Sequence, residues 1–338
     1  MTERENKLRA IRFEKPEYIP VRFVISEAVF SHYDPAAVED LLLSHPVIAG
    51  EKALRPELSD AKDGLYDYDD EFGVQWEGAI AGIRGAVKVH PLADFSRIPA
   101  YTFPPLPKFD PEADRMRVES AKARGEFTEA GLPHGHTFLR ITDLCGYENT
   151  LYGMMDEDEN LIRLIKRLED YNYAFTSHYA KCGYDMVGYG EDLGMQSGPM
   201  LSPKLFKKYI QPSYRRIMKP ARDAGAIIHM HSDGDIRALY EYLLEGGVDV
   251  LNLQDLVNGV DWIREHFFGK YCVELDIDRQ NVTGFGTPKD GDELVKNEVR
   301  TLSSPAGGLM LIYGWYPGTP IENIRALMDA IEKYMFMW

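Results

Sequence analysis

Cysteine is scarce in this chain and scattered. Its 338 residues include three cysteines, Cys145, Cys182 and Cys272, with no C-x-x-C pair among them. That argues against a disulfide framework and against a structural thiolate zinc site, and it suits a reducing compartment. Long apolar runs are also missing. None approaches the ~20 residues that cross a bilayer. The charged start Met1-Thr-Glu-Arg-Glu-Asn-Lys has no apolar stretch behind it, so a cytoplasmic protein is expected. Basic residues are outnumbered 38 to 54, for a formal net charge of −16. A surface this negative repels phosphate backbones and anionic lipid, which argues against nucleic acid and membranes as partners. There is no G-x-x-x-x-G-K-[ST], no H-E-x-x-H and no G-x-S-x-G, so three common catalytic signatures are set aside.

What remains is an ordinary globular composition, 44% hydrophobic and 27% charged, which is enough for a large core. No tract of low complexity, short repeat or Gly/Ser linker divides the chain, and one domain spanning 1–338 is expected. The length fits an α/β barrel with insertions. In the second half, strand-like runs at Phe138–Thr142, Met186–Tyr189, Ala226–His231, Val248–Leu253, Tyr271–Ile277 and Leu309–Tyr313 alternate with amphipathic stretches. Those stretches are Glu159–Lys181, Pro203–Ala224, Ile236–Glu245, Asp261–Phe268 and Asp290–Leu302. Such alternation means βαβ units and a parallel sheet. Ile19–Ile25, with Phe72–Trp76 or Ile83–Val89, brings the strand count to eight. Ser202-Pro203 and Thr319-Pro320 each place a capping hydroxyl before an N1 proline, and Gly284-Phe-Gly-Thr-Pro reads as a turn before a helix. A doubly wound sheet would carry a glycine-rich loop after its first strand. Val21-Arg-Phe-Val-Ile-Ser-Glu carries no glycine, so the reading is a single (β/α)8 barrel.

The sharpest local feature is Ile228-His229-Met230-His231-Ser232-Asp233-Gly234. Strand side chains alternate faces, so His229, His231 and Asp233 share one face where a strand gives way to a loop. In a barrel that end is the catalytic one. A lone histidine there would read as a core residue and a lone aspartate as a cap. Two histidines and a carboxylate at period two match the nitrogen and oxygen ligands of zinc and similar metals. Other strand ends bring Asp143, Glu191, Asp192, Gln254, Asp255, Asp276 and Tyr313. A carboxylate from Glu191 or Asp192 can complete a metal shell with His231 and Asp233, or act as general base in a metal-free site.

The block from Gly183 through Glu191-Asp-Leu-Gly-Met-Gln to Phe206 resembles the uroporphyrinogen decarboxylase superfamily. So do His231-Ser-Asp-Gly, Gly246-Gly-Val-Asp-Val-Leu-Asn and Pro317-Gly-Thr-Pro-Ile-Glu-Asn-Ile. The resemblance runs from about Arg4 to Tyr334 and implies a (β/α)8 barrel. The decarboxylases grip carboxylates with an arginine-rich Arg-Gln-Ala-Gly-Arg signature; here the matching stretch shows only Arg22. An octacarboxylate substrate needs several cations, since a buried unpaired carboxylate is costly. The superfamily's cobalamin-linked methyltransferases instead bind zinc through a His-x-Cys pair and a later cysteine. His231 matches that histidine, Asp233 stands in place of the first cysteine, and Tyr313 lies near the later one. A zinc without those thiolates is a harder Lewis acid, suited to an ether or amine substrate. The resemblance thus implies a methyltransferase moving a methyl group from a small, methoxylated aromatic donor to a corrinoid protein. The metal would be zinc, held by His231, Asp233 and Glu191 or Asp192, with His229 as ligand or support. Glu191, Asp192, His229 and Tyr313 are the expected catalytic residues. Arg22, Asp143, Gln254 and Asp276 are the expected substrate contacts, and a homodimer is the expected assembly. The alternative is a decarboxylase of a carboxylated small molecule or tetrapyrrole. An amidohydrolase would place His-x-His at the first strand rather than past the middle of the chain. A corrinoid or tetrapyrrole binder without turnover is a third class. At physiological salt the acidic chain should be retained neither by DNA nor by anionic vesicles; appreciable binding to either matrix would contradict the charge argument.

Overall fold

The computed structural model describes residues 1–49, 64–80 and 85–338. Its parallel strands are β1 (Val21–Ile25), β2 (Glu129–Leu132), β3 (Met186–Asp192), β4 (Ile227–Asp233), β5 (Val250–Gln254), β6 (Cys272–Asp276) and β7 (Leu309–Trp315). Helices separate them, and the principal ones here are α1 (Pro111–Ala123), α2 (Phe138–Cys145), α3 (Glu159–Cys182) and α4 (Gln211–Asp223). The fold class is therefore the expected parallel α/β one. The chain falls into two compact units. One comprises Met1–Glu5, Asp69–Gln75 and Val87–Leu253; the other comprises Asn6–Tyr68, Trp76–Ala86 and Gln254–Trp338.

In the first unit, β2 pairs with β3, β3 with β4, and β4 with β5, all parallel. Helix α3 shows how the sequence builds this layer. Asp158 caps it by accepting the amides of Asn160 and Leu161. Leu161, Leu164, Ile165 and Leu168, at helical spacing, turn one buried stripe inward. Gly183, at φ 77°, ends it in the left-handed region where glycine is least strained. In the second unit, β1 and β6 both pair with β7, Val21 standing opposite Leu311. A first strand beside the last is the closure pattern of a barrel, not of an open doubly wound sheet. Every residue of β6 is buried, as parallel strands covered by helices require. Trp315 and Tyr313 on β7 are fully buried. Among the described residues no helix is long and apolar enough to cross a membrane.

Four expectations need correction. Phe138–Thr142 is helix, not strand: Phe138, Ile141 and Cys145 recur at helical spacing and are buried together in α2. The strand before it is Glu129-Ala-Gly-Leu, whose weak β-propensity hides it. The segments near Phe72–Trp76 and Ile83–Val89 do not join the parallel series. Gln75–Gly78 and Ala86–Val89 are short strands of another sheet, and Ile83 lies outside the described residues. The described parallel strands therefore number seven rather than eight. At Thr319-Pro320 the cap falls one residue later, on Pro320, and the helix begins at Ile321; Ile236–Glu245 shortens to Tyr240–Gly246.

Asp185, just ahead of β3, is nearly buried and ties the first unit together. Its carboxylate accepts both nitrogens of the Arg4 fork at 3.0 and 2.8 Å, and the amide and hydroxyl of Thr128 at 3.1 and 2.9 Å. Lys122 Nζ stands 3.0 Å away. Burial would raise its pKa, but the bonds from Arg4, Lys122 and Thr128 outweigh that and hold it below the ordinary 3.8. This contribution to stability is therefore full above that value and fades as the pH falls further. Replacing Asp185 by Ala strands two cations and should cost about 2–4 kcal/mol in urea unfolding at neutral pH. A loss below about 0.5 kcal/mol would show the network to be surface decoration.

Candidate functional site

The site grows from the register of two strands. Gly188 pairs with His229, Gly190 with His231, and Asp192 with Asp233. Alternation gives β3 two faces. Tyr189 and Glu191 turn toward the helices, the Tyr189 hydroxyl donating to the Ile217 carbonyl of α4 at 3.2 Å. Gly188, Gly190 and Asp192 face the other way, with His229, His231 and Asp233 of β4. The glycines matter for space: a Cβ on Gly190 would come 3.2 Å from the His134 ring. At the strand ends, Gly234 (φ +81°) passes so near Gly194 that a Cβ would lie 2.1 Å from its carbonyl carbon. Only glycine fits that crossing.

His134, two residues beyond β2, completes the cluster. Its Nε2 stands 3.3 Å from Asp192 Oδ1. His231 Nε2 is 3.5 Å from the same oxygen and 3.7 Å from Asp233 Oδ1. One donor atom each from His134, Asp192 and His231 lie within 4.8 Å of one another. Tetrahedral zinc with bonds of ~2.0–2.2 Å sets its N and O ligands roughly 3.3–3.5 Å apart, so these spacings are of the right size. The cluster is open to solvent: side-chain exposure is 22% for His231, 31% for Asp192 and 48% for His134. His231 Nδ1 lies 2.6 Å from the Asn252 side-chain carbonyl on β5. A carbonyl only accepts, so Nδ1 carries a proton; Nε2, once it gives up the proton that bonds to Asp192, would turn its lone pair to the cluster. This is the usual way a ligating histidine is oriented. Burial would raise the pKa of Asp192, yet side-chain bonds from His134 and His231 hold it far below the carboxylate range. An ionised carboxylate beside two imidazoles is a donor set that suits a divalent metal.

Glu191 is elsewhere. It is fully buried and accepts the amides of Thr137, Phe138 (2.8 Å) and Leu139 (3.4 Å), the first turn of α2, and the Tyr214 hydroxyl at 3.0 Å. Burial pushes its carboxyl up to about 7 against those donors. Its neighbour His136 is also buried, and burial lowers it to about 3, so the ring is neutral. Of the two open carboxylates, Asp192 faces His231 and Glu191 caps a helix. His229 is buried deeper along β4, opposite Val250.

The other expected residues divide between the two units. Asp143 sits inside α2 rather than after a strand, with Arg140 Nη1 3.9 Å from its carboxylate. Arg22, Gln254, Asp276 and Tyr313 belong to the second unit. There Arg22 approaches Glu274 at 3.4 Å, Asp276 accepts from Arg279 at 2.8 Å, and Tyr313 donates to the Thr283 hydroxyl at 3.1 Å. The Gln254 carbonyl accepts from Asn258 at 2.9 Å. His134 was missed from sequence, although His134-Gly-His136 repeats the His-x-His spacing and follows a strand. All three cysteines are buried thiols, and the cluster offers no sulfur.

The profile of the family described as uroporphyrinogen decarboxylase (URO-D) matches residues 136–334. The chain belongs to this family. The matched span holds Asp192, His231 and Asp233 and begins two residues after His134. A uroporphyrinogen decarboxylase of Thermus thermophilus is 26% identical over 202 residues, 58% of this chain and 52% of that protein. The chain thus spans about half the length of the curated relative it matches. A solved methyltransferase from Methanosarcina mazei aligns over 99% of both chains with a TM-score of 0.65 and 16% identity. That likeness shows a shared fold.

Within this URO-D chain, the raised pKa of Glu191 has a stability consequence. The folded state holds a proton that the unfolded chain releases near 4.5, so stability should decline as the pH rises from about 4.5 to about 7. Glu191→Gln should flatten that slope in denaturation curves recorded across the window. An unchanged slope would assign it to other groups.

Proposed function

We propose that the chain is a methyltransferase that moves a methyl group from a small methoxylated aromatic donor to a corrinoid carried by a partner protein, assisted by a metal. The observation that carries this reading is the convergence of His134, Asp192 and His231, with Asp233 beside them, at the C-terminal ends of adjacent parallel strands. Zinc held by these residues would supply Lewis acidity at the donor's ether oxygen, easing departure of the alkoxide. The chain's own part is to keep that set ready. Asp192 stays anionic at neutral pH, Asn252 fixes the His231 tautomer, and Gly190 clears room for the His134 ring. With nitrogen and oxygen donors and no sulfur, the set favours a hard oxygen leaving group over thiol activation.

The Thermus relative supports a second reading, a decarboxylase. Against it stand the arginines. Arg140 is bound to Asp70 at 2.7 Å, Arg22 faces Glu274, and Arg279 is bound to Asp276. A polycarboxylate substrate would have to break such pairs before using their cations.

Purified protein should therefore carry stoichiometric zinc or take it up. His231→Ala should lose the metal held at the strand ends and demethylation of methoxylated aromatics with cob(I)alamin, while unfolding at its usual temperature. Asn252→Ala, which removes the carboxamide that orients His231, should weaken metal affinity by about 10–100-fold. Turnover that survives exhaustive chelation would end the metal reading and move the weight to the decarboxylase.

A further inference from the structure

A second set of donors converges in the first unit, away from the strand ends. Helix α3 carries His178 and Cys182 one turn apart, and α1 brings Asp114 against them. His178 Nε2 stands 2.7 Å from Asp114 Oδ2 and 3.6 Å from Cys182 Sγ. The three donor atoms lie within 4.8 Å of one another.

Several features show that the arrangement is held in place. The His178 ring is stacked on Phe109, centroids 4.4 Å apart and planes 20° from parallel. Arg117 engages Oδ1 of Asp114 and leaves Oδ2 to the histidine. His178 and Cys182 are buried while Asp114 is partly exposed, so the cluster is closed on the helix side and reachable from solvent. Cys182 is the last residue of a 24-residue helix, whose terminal carbonyls favour positive charge. All polar contacts of the His178 ring are made at Nε2, because Nδ1 is buried without a hydrogen-bond partner. One proton on Nε2 cannot serve a carboxylate and a sulfur at once. A cation at that point would be shared by all three.

We infer that Asp114, His178 and Cys182 form a second metal site, one that includes sulfur and takes a thiophilic divalent transition metal such as zinc. The His–Cys spacing already matches tetrahedral zinc, whose N and S ligands stand roughly 3.5 Å apart, and Asp114 would move outward by a few tenths of an ångström. On binding, the Cys182 thiol loses its proton to solvent, the sulfur gives up its 3.2 Å bond to the His178 carbonyl, and water fills the fourth position. The ion would pin α1 to the end of α3, a structural role independent of the strand-end cluster.

Cobalt(II) added to metal-free protein separates the two sites, because a sulfur-to-cobalt charge-transfer band in the near ultraviolet requires a thiolate ligand. The band should develop in the wild type and in His231→Ala, and be absent in Cys182→Ser. Asp114→Ala, whose change is partly exposed and leaves the core intact, should lower the cobalt affinity read from the band at least tenfold. It decides the matter should Cys182→Ser fail to fold. A wild type with no band overturns the proposal. So does a band that persists in Cys182→Ser, or one whose affinity is unmoved by Asp114→Ala.

Discussion

A carboxylate with no access to water, Glu191, accepts the opening amides of α2, and the direction of β3 follows from that contact. Amides at a helix start carry partial positive charge and need acceptors. Once Glu191 supplies them, residue 191 must point at the helices. Residue 192 must then point the other way, and the parallel register sets it beside His231 and Asp233. The open face of the cluster is thus held by a bond made on the closed face. Tyr214, reaching the same carboxylate from α4, makes it a three-element joint of strand and two helices.

Two adjacent acids on β3 therefore behave oppositely. Glu191 is surrounded by neutral donors, and dehydration wins, favouring the protonated form. Asp192 is dehydrated too, but two imidazoles face it and charge wins. The difference is one residue of alternation. Metal ligands must be unprotonated to bind, so the strand puts its easily ionised acid where a cation could sit and its reluctant one where a helix needs an acceptor.

The chemistry-bearing strand β4 was legible because its signal is local: an apolar run, then His, His and Asp at period two. The strands β5 to β7 were legible for the same reason. The choice between Glu191 and Asp192 was not, because both follow a strand-like run and only the partner across the fold decides which way each faces. His134 was hidden by its strand. Glu129-Ala-Gly-Leu is too short and too poor in β-branched residues to announce itself, so the histidine after it looked like loop. Phe138–Thr142 misled in the opposite sense. Its apolar density suggests a strand, and the helical spacing becomes clear only when Leu144 and Cys145 are counted with it. Asp276 ends β6 as expected and accepts from Arg279, whereas β7 runs two residues past Tyr313, whose hydroxyl donates to Thr283.

The path of the chain between its two units bears on how such a protein can be inherited. The backbone changes unit after Glu5, Tyr68, Gln75, Ala86 and Leu253. Neither unit is one uninterrupted stretch of gene, so a recombination that exchanges a contiguous segment carries pieces of both or leaves one incomplete. A crossover that swaps one contiguous segment therefore cannot move either unit whole.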